Sequence, residues 1–199
     1  AAQTGVDFSV DVTINRDHKI TSVYAGELFA VHRAACQGAK AAAMHPVSKP
    51  FDVVVTTNSG YPLDLNLYQS VKGMSAAAQV VRPGGAIICA AECSDGVPDH
   101  GEYKQLLASR ESPRALLDMI NAPGFSHHDQ WQVQLQAQIQ LRARVYLKSG
   151  YLDAVQVRAA HLEPVDDLQA AVDECIRSYG EKARVCVLPE GPQTIPYIK

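Results

Sequence analysis

The chain has 199 residues, 47% of them hydrophobic and 20% charged, with 18 basic against 21 acidic side chains and a formal charge of -3. That suffices for one domain with a substantial core, or one domain plus a small appendage, and it excludes a disordered chain. The mild acidic balance and the lack of a long basic stripe give no electrostatic reason to expect a nucleic-acid partner, and without an apolar run of about 18 residues no transmembrane helix is expected.

In chain order, Val6, Phe8, Val10, Val12 and Ile14 alternate with Asp7, Ser9, Asp11 and Thr13, the period of a strand with one apolar and one polar side. Asn15-Arg16-Asp17 reads as a turn and residues 20–24 as a second short strand, which together predict an antiparallel hairpin with one solvent-facing side. Gly26 punctuates, and the Ala-rich stretch 28–44 reads as a helix bounded by Pro46 and Pro50. Residues 51–57 form a nearly continuous β-branched run, the pattern of a strand covered on both faces. A turn at Asn58-Ser59-Gly60-Tyr61-Pro62 leads to a helix over 63–81, stopped by Arg82-Pro83-Gly84-Gly85, and residues 86–91 form another buried strand. That strand–helix–strand order predicts a right-handed crossover.

Further on, residues 101–109, 113–121 and 129–141 read as helices, 144–147 as a strand, and 151–160 as helical or irregular. Residues 165–179 have Leu168, Val172, Cys175 and Ile176 on one side and end at Gly180, a helix with its stop signal. Residues 183–188 make the last strand, and the Pro-rich end reads as an extended tail. No repeat or clean linker interrupts the pattern. The expected architecture is therefore a single mixed three-layer α/β sandwich over 1–199, with a largely buried central sheet and an N-terminal hairpin. The chain starts without methionine and is expected to be a piece of something longer. The five cysteines, Cys36, Cys89, Cys93, Cys175 and Cys186, are odd in number and set mostly among apolar residues, which favours reduced thiols and a cytoplasmic home.

The sharpest functional signal lies between Gly60 and Lys72. It follows a buried strand, and ligands in α/β sheets bind beyond the carboxyl ends of strands. Leu63, Leu67, Val71, Met74, Ala78 and Val81 recur on the core side of the helix, while Leu65, Gln69, Lys72 and Ala76 lie nearly opposite. Gln69 and Lys72 are three apart, so a cationic donor suited to a small carboxylate and a neutral amide can meet over one patch. Spacing alone favours a solvated helix face, and Tyr68 reads as a core-edge aromatic.

The run Asn58-Ser59-Gly60-Tyr61-Pro62-Leu63-Asp64-Leu65-Asn66-Leu67-Tyr68-Gln69-Ser70-Val71-Lys72-Gly73-Met74 closely resembles the C-terminal domain motif of the nickel-pincer lactate racemase family. The resemblance extends to Tyr24-Ala25-Gly26-Glu27, Ala30-Val31-His32-Arg33, Trp131-Gln132-Val133-Gln134 and Pro189-Glu190-Gly191-Pro192-Gln193-Thr194. It implies a 2-hydroxyacid racemase or epimerase, an isomerase in which a hydride leaves C2 and returns to either face of a ketoacid. The implied cofactor is a nickel-pincer nucleotide, anchored by an N-terminal domain whose metal and acid–base histidines have no recognisable counterpart here. Gln69 and Lys72 are then expected to act catalytically, Lys72 toward the substrate carboxylate. Together with Tyr68 and Trp131 they would face the cofactor, with none of the four a metal ligand. Serine at position 59, where a second glycine is often found, narrows the backbone approach. The expected partners are the missing N-terminal domain and a small 2-hydroxyacid, with no nucleic acid and no membrane. Two other readings stay open: a noncatalytic small-acid-binding or partner-docking domain, and a related 2-hydroxyacid oxidoreductase.

His127-His128 reads as a surface loop and His32 as packing within its helix, while His18, His45, His100 and His161 are too scattered for a ligand set. Asp64 reads as a helix-start residue, and Glu92 and Asp95 as solvated or cleft-lining.

Overall fold

Alternation and capping residues account for most of the elements in the computed structural model, which describes residues 3–15 and 17–199. The chain separates into two compact units, one up to His45 and one from Pro46 to Lys199.

In the first unit, strands β1 (Ser9–Ile14) and β2 (Ile20–Gly26) form the expected antiparallel hairpin, with a register shift between Thr13 and Ile14. Asn15 shapes its turn: its side-chain oxygen accepts the N–H groups of Asp17 and Lys19, both at 3.0 Å. Arg16, part of the expected turn, lies outside the described residues. Helix α1 (Leu28–Ala43) starts at Glu27, whose carboxylate accepts the N–H groups of Phe29 and Ala30 at 2.9 and 2.8 Å, and these bonds lower its pKa. His32 sits within α1 as expected, its Nε2 3.6 Å from the Cys36 thiol one turn on. One outcome differs from the simple amphipathic picture. Asp11, Thr13, Ser22 and Tyr24 are half-buried, whereas Val10, Val12 and Ile14 are exposed.

Strand β3 (Met44–Val47) leads into the second unit, built on β4 (Phe51–Thr57), β5 (Val81–Ala90), β6 (Arg144–Lys148), β7 (Glu163–Pro164) and β8 (Val185–Leu188). Every pairing among these five is parallel, in the order β7-β6-β5-β4-β8. Helices α2 (Leu67–Ala78), α3 (Tyr103–Ala108), α4 (Pro113–Ile120), α5 (Gln130–Arg142), α6 (Ala154–Ala159) and α7 (Leu168–Tyr179) complete the α/β pattern, with a last short strand β9 (Ile195–Ile198). The backbone of Lys199 donates to Val47 at 3.0 Å.

The sheet is covered on both faces. Val54, Ile87 and Cys89 point into a core with Leu67, Val71, Met74, Val133 and Ala137. The alternate residues Val53, Ala86 and Ile88 point into a second core with Ala171 and Cys175 of α7. This is the three-layer arrangement that the continuous β-branched run of β4 foretold. The caps behave as their chemistry requires: Asp167 and Ser112 accept the N–H groups of Ala170 and Ala115, and Gly180 ends α7 with φ 96°.

Two boundaries differ from expectation. Helix α2 begins at Leu67, because residues 61–66 are turns and Asn66 supplies the cap. Strand β5 begins at Val81 and runs through Arg82-Pro83-Gly84-Gly85 rather than after it. The extra residues are taken up as a bulge between the pairs Phe51–Val81 and Val53–Ala86. At Gly85 a side chain would lie 2.7 Å from the Asp52 carbonyl, so glycine permits the close approach.

Asp52 ties β4 to β5 and to the residue that precedes β8. It accepts Arg184 N–H at 2.8 Å and Arg82 Nε at 2.6 Å, and these bonds hold its carboxyl below the usual range. A group with a depressed folded pKa stabilises above its unfolded value and loses that contribution as pH falls through the folded one. Asp52→Asn is therefore expected to cost about 1 kcal/mol between pH 5 and 7, with the difference from wild type shrinking below about pH 4. Urea midpoints across that range check it; a penalty unchanged at pH 3 would assign the loss to packing.

Candidate functional site

Helix α2 is held at both ends of its first turn. The Asn66 side chain accepts Gln69 N–H at 3.1 Å and donates to Asp95 Oδ2 at 3.3 Å, while Leu67 N–H donates to the Gly96 carbonyl at 3.0 Å. Buried Asn58 joins the preceding loop to the helix: its amide donates to the Leu63 carbonyl, and its oxygen accepts Gly73 N–H at 3.0 Å. At Gly73 and at buried Gly191 a side chain would collide with the Thr57 carbonyl. Two glycines thus let α2 and the 191–193 turn close on the end of β4.

On the outer side of this clamped helix, Lys72 Nζ donates to Gln69 Oε1 at 2.5 Å. Lys72 is exposed and Gln69 half-buried. Trp131, 56% exposed, meets the Tyr68 ring edge-to-face at 5.7 Å, and Tyr68 meets Tyr103 the same way at 5.2 Å. Burial, helped by the Asp129 carboxylate, raises the Tyr68 pKa, so its hydroxyl stays protonated at neutral pH. The four residues singled out in the sequence thus form two contacting pairs that share the first turn of α2.

Lys72 lines a hollow of about 350 Å³ with Ser75, Gln79, Leu135, Pro192 and Thr194. A different hollow, of about 600 Å³, opens at the carboxyl ends of the strands and is lined by Thr57, Ser59, Gly60, Glu92, Lys148 and Pro189 among others. Gly60 and Glu92 thus line the second hollow and Lys72 the first. Asp64 also departs from the helix-start reading: it is 5% exposed and accepts Glu92 N–H at 3.0 Å, tying the loop to the end of β5. His127 and His128 sit in an exposed loop, paired with Glu102 and Asp129 respectively, each at 3.1 Å.

Ser59 has φ 65°, and its hydroxyl is buried without a hydrogen-bond partner. Left-handed backbone costs a non-glycine residue about 1 kcal/mol, so Ser59→Gly is expected to stabilise by roughly that amount. Thermal melts check it; a lower melting temperature would mean that Ser59 makes a favourable contact.

Sequence reasoning missed the buried glutamines of α5. Gln132 Nε2 donates to the Tyr68 carbonyl at 2.6 Å. Gln136 accepts the Tyr103 hydroxyl and donates to the Ala160 carbonyl at 2.9 Å, and Gln140 donates to Ala160 and His161 carbonyls at 2.9 Å. The available signal was their four-residue spacing, which puts 132, 136 and 140 on one face.

The sequence profile of the lactate racemase C-terminal domain matches residues 47–195. This chain belongs to the lactate racemase family. It is 35% identical over 194 residues to a lactate racemase of Lactiplantibacillus plantarum, covering 96% of this chain and 45% of that protein. It is 32% identical over 197 residues to the enzyme of the same name from Thermoanaerobacterium thermosaccharolyticum, covering 98% and 46%. The chain thus spans about half the length of the curated relatives it matches. The lactate racemase apoprotein structure from the latter organism superposes with a TM-score of 0.90 at 30% identity, over 98% of this chain and 47% of that one. A Thermotoga maritima protein, at 12% identity and TM-score 0.65 over 96% and 49%, shares the fold.

Among the described residues of this lactate racemase family member, no three His, Cys, Asp or Glu side chains converge as a metal nest. Among the described residues no helix is long and apolar enough to cross a membrane. Of the residues around α2, the Lys72 ammonium and the Gln69 carboxamide carry donors of the kind that pair with an organic anion, and neither is a usual metal ligand.

Proposed function

We propose that this chain is the C-terminal part of a nickel-pincer-dependent 2-hydroxyacid racemase or epimerase and supplies one wall of its active site. The observation that carries this reading is the Lys72–Gln69 pair, 2.5 Å apart on the outer side of α2, in a chain of this family. The nickel would be held by residues outside this span; when bound, the cofactor supplies the reversible hydride acceptor for C2.

The residues of this chain do the positioning. The Lys72 ammonium holds the substrate carboxylate, a charge-assisted contact that strengthens as water is excluded. In the free chain Lys72 already has a partner in Gln69, so substrate replaces a neutral acceptor with an anionic one and frees the amide to orient the 2-hydroxyl or the nucleotide. Exposed Trp131, backed by Tyr68, supplies apolar surface that displaces water from a step in which a hydride must not be lost. Fixing C2 against the acceptor lowers the entropic part of the barrier. The same reading places the protein in the cytoplasm, where its five free cysteines stay reduced.

The test is the longer gene product loaded with cofactor and given C2-deuterated 2-hydroxyacids of both hands. Inversion with deuterium retained at C2 supports the proposal. Release of ketoacid would instead indicate an oxidoreductase, and no turnover across a broad panel with loading verified would leave a binding or docking domain.

A further inference from the structure

We propose that the apolar face of the β1–β2 hairpin is a docking surface, and that its occupant is an apolar layer contributed by the part of the lactate racemase polypeptide outside this span. The inference rests on the reading of this chain as part of a longer racemase, and it adds where the two parts join.

The face is built from large side chains in register. Val12 stands opposite Val23, Val10 opposite Ala25 and Ile14 opposite Ile20. Phe8 extends the row just before β1. The exposures are 65% for Phe8, 58% for Val10, 47% for Val12, 58% for Ile14, 62% for Ile20 and 60% for Val23. Six such side chains clustered on one two-stranded ribbon are the pattern of an interaction surface rather than of scattered surface apolarity.

The hairpin's own helix does not serve this face. The half-buried side chains are those of the polar one, Asp11, Thr13, Ser22 and Tyr24, and Gly38 of α1 leaves room for the Tyr24 hydroxyl, which a side chain there would strike. Among the described residues of α1 itself, Val31 is the buried one, and Phe29 is 52% exposed. The unit therefore turns its hydrophobic side outward, and a two-stranded hairpin needs a packed apolar face to be stable.

The choice of occupant comes from where the family likeness begins. The C-terminal-domain profile starts at residue 47, next to the boundary between the two units at His45 and Pro46. The full relatives nonetheless match 96% and 98% of this chain, so residues before 47 belong to lactate racemases without belonging to that domain. More than half of each relative lies beyond the match. The unit up to His45 is thus an outlying piece of the other part's fold, with its core-facing side bare.

Side-chain footprinting by hydroxyl radicals tests this on the 199-residue chain and on the longer gene product. Phe8, Ile14 and Ile20 are expected to react at least about tenfold more slowly in the longer protein, with Tyr61 and Tyr151 unchanged as exposed references. Val12→Asp and, separately, Val23→Lys touch no buried contact in the 199-residue chain and are expected to leave its circular dichroism intact. In the longer protein each should restore fast labelling of this face, because an unpaired charge is excluded from an apolar interface. Equal labelling in both proteins overturns the proposal. So does a concentration-dependent dimer of the 199-residue chain that protects the face, since the occupant is then a second copy, and so does a gene encoding nothing beyond these residues. The activity reading fails separately: protection of the hairpin without C2 inversion keeps the docking surface, and inversion without protection removes it alone.

Discussion

In the cofactor-loaded longer enzyme, Lys72→Ala is expected to lower kcat/KM for 2-hydroxyacids by roughly 100- to 1,000-fold, the usual consequence of removing a preorganised charged donor from a reacting anion. Stability should change by less than about 0.5 kcal/mol, because the lysine is exposed and the bond it makes is to the neighbouring Gln69. The selectivity of the loss is the informative part. Turnover of the carboxylate should collapse while that of the corresponding neutral amide, poor to begin with, changes little. Lys72→Arg should recover part of the rate, since it keeps the charge but alters its shape. Unchanged kinetics across that substrate series would remove Lys72 from the binding wall. A large drop in melting temperature would make it a structural residue instead.

The second large effect is on stability. Gln136→Leu is expected to cost about 2–4 kcal/mol, read from urea midpoints, because it removes two buried hydrogen bonds at once and leaves the Tyr103 hydroxyl without its partner. Tyr103 is fully buried, its hydroxyl donates to Gln136, and burial pushes its pKa well up. The Ala160 carbonyl keeps a second donor in Gln140, so most of the cost should come from the tyrosine. Adding Tyr103→Phe to Gln136→Leu should therefore recover about 1–2 kcal/mol, a coupling that a simple volume change would not produce. If the two substitutions add without coupling, the hydroxyl–amide contact does not carry the effect. Because Tyr103 abuts Tyr68, and Tyr68 abuts Trp131, the same variants should also shift Trp131 fluorescence.

Much of this molecule was legible along the chain itself. The β-branched run at 51–57, the stop at Gly180, and the two-residue alternation of the hairpin each report on backbone preference and on neighbours a few positions away. The pairing of Gln69 with Lys72 belongs to the same class, since a three-residue interval on a helix brings side chains together whatever surrounds them. The tertiary structure alone decided which sides are covered. The hairpin's apolar side is bare and its polar side occupied, β5 continues through Pro83-Gly84-Gly85 as a bulge, and the glutamines at 132 and 136 lie inside. Their partners are 64 and 33 residues away in sequence, as the Tyr68 carbonyl and the Tyr103 hydroxyl. Burial depends on which surface arrives from elsewhere, and a polar side chain enters a core only when a distant donor or acceptor meets it there.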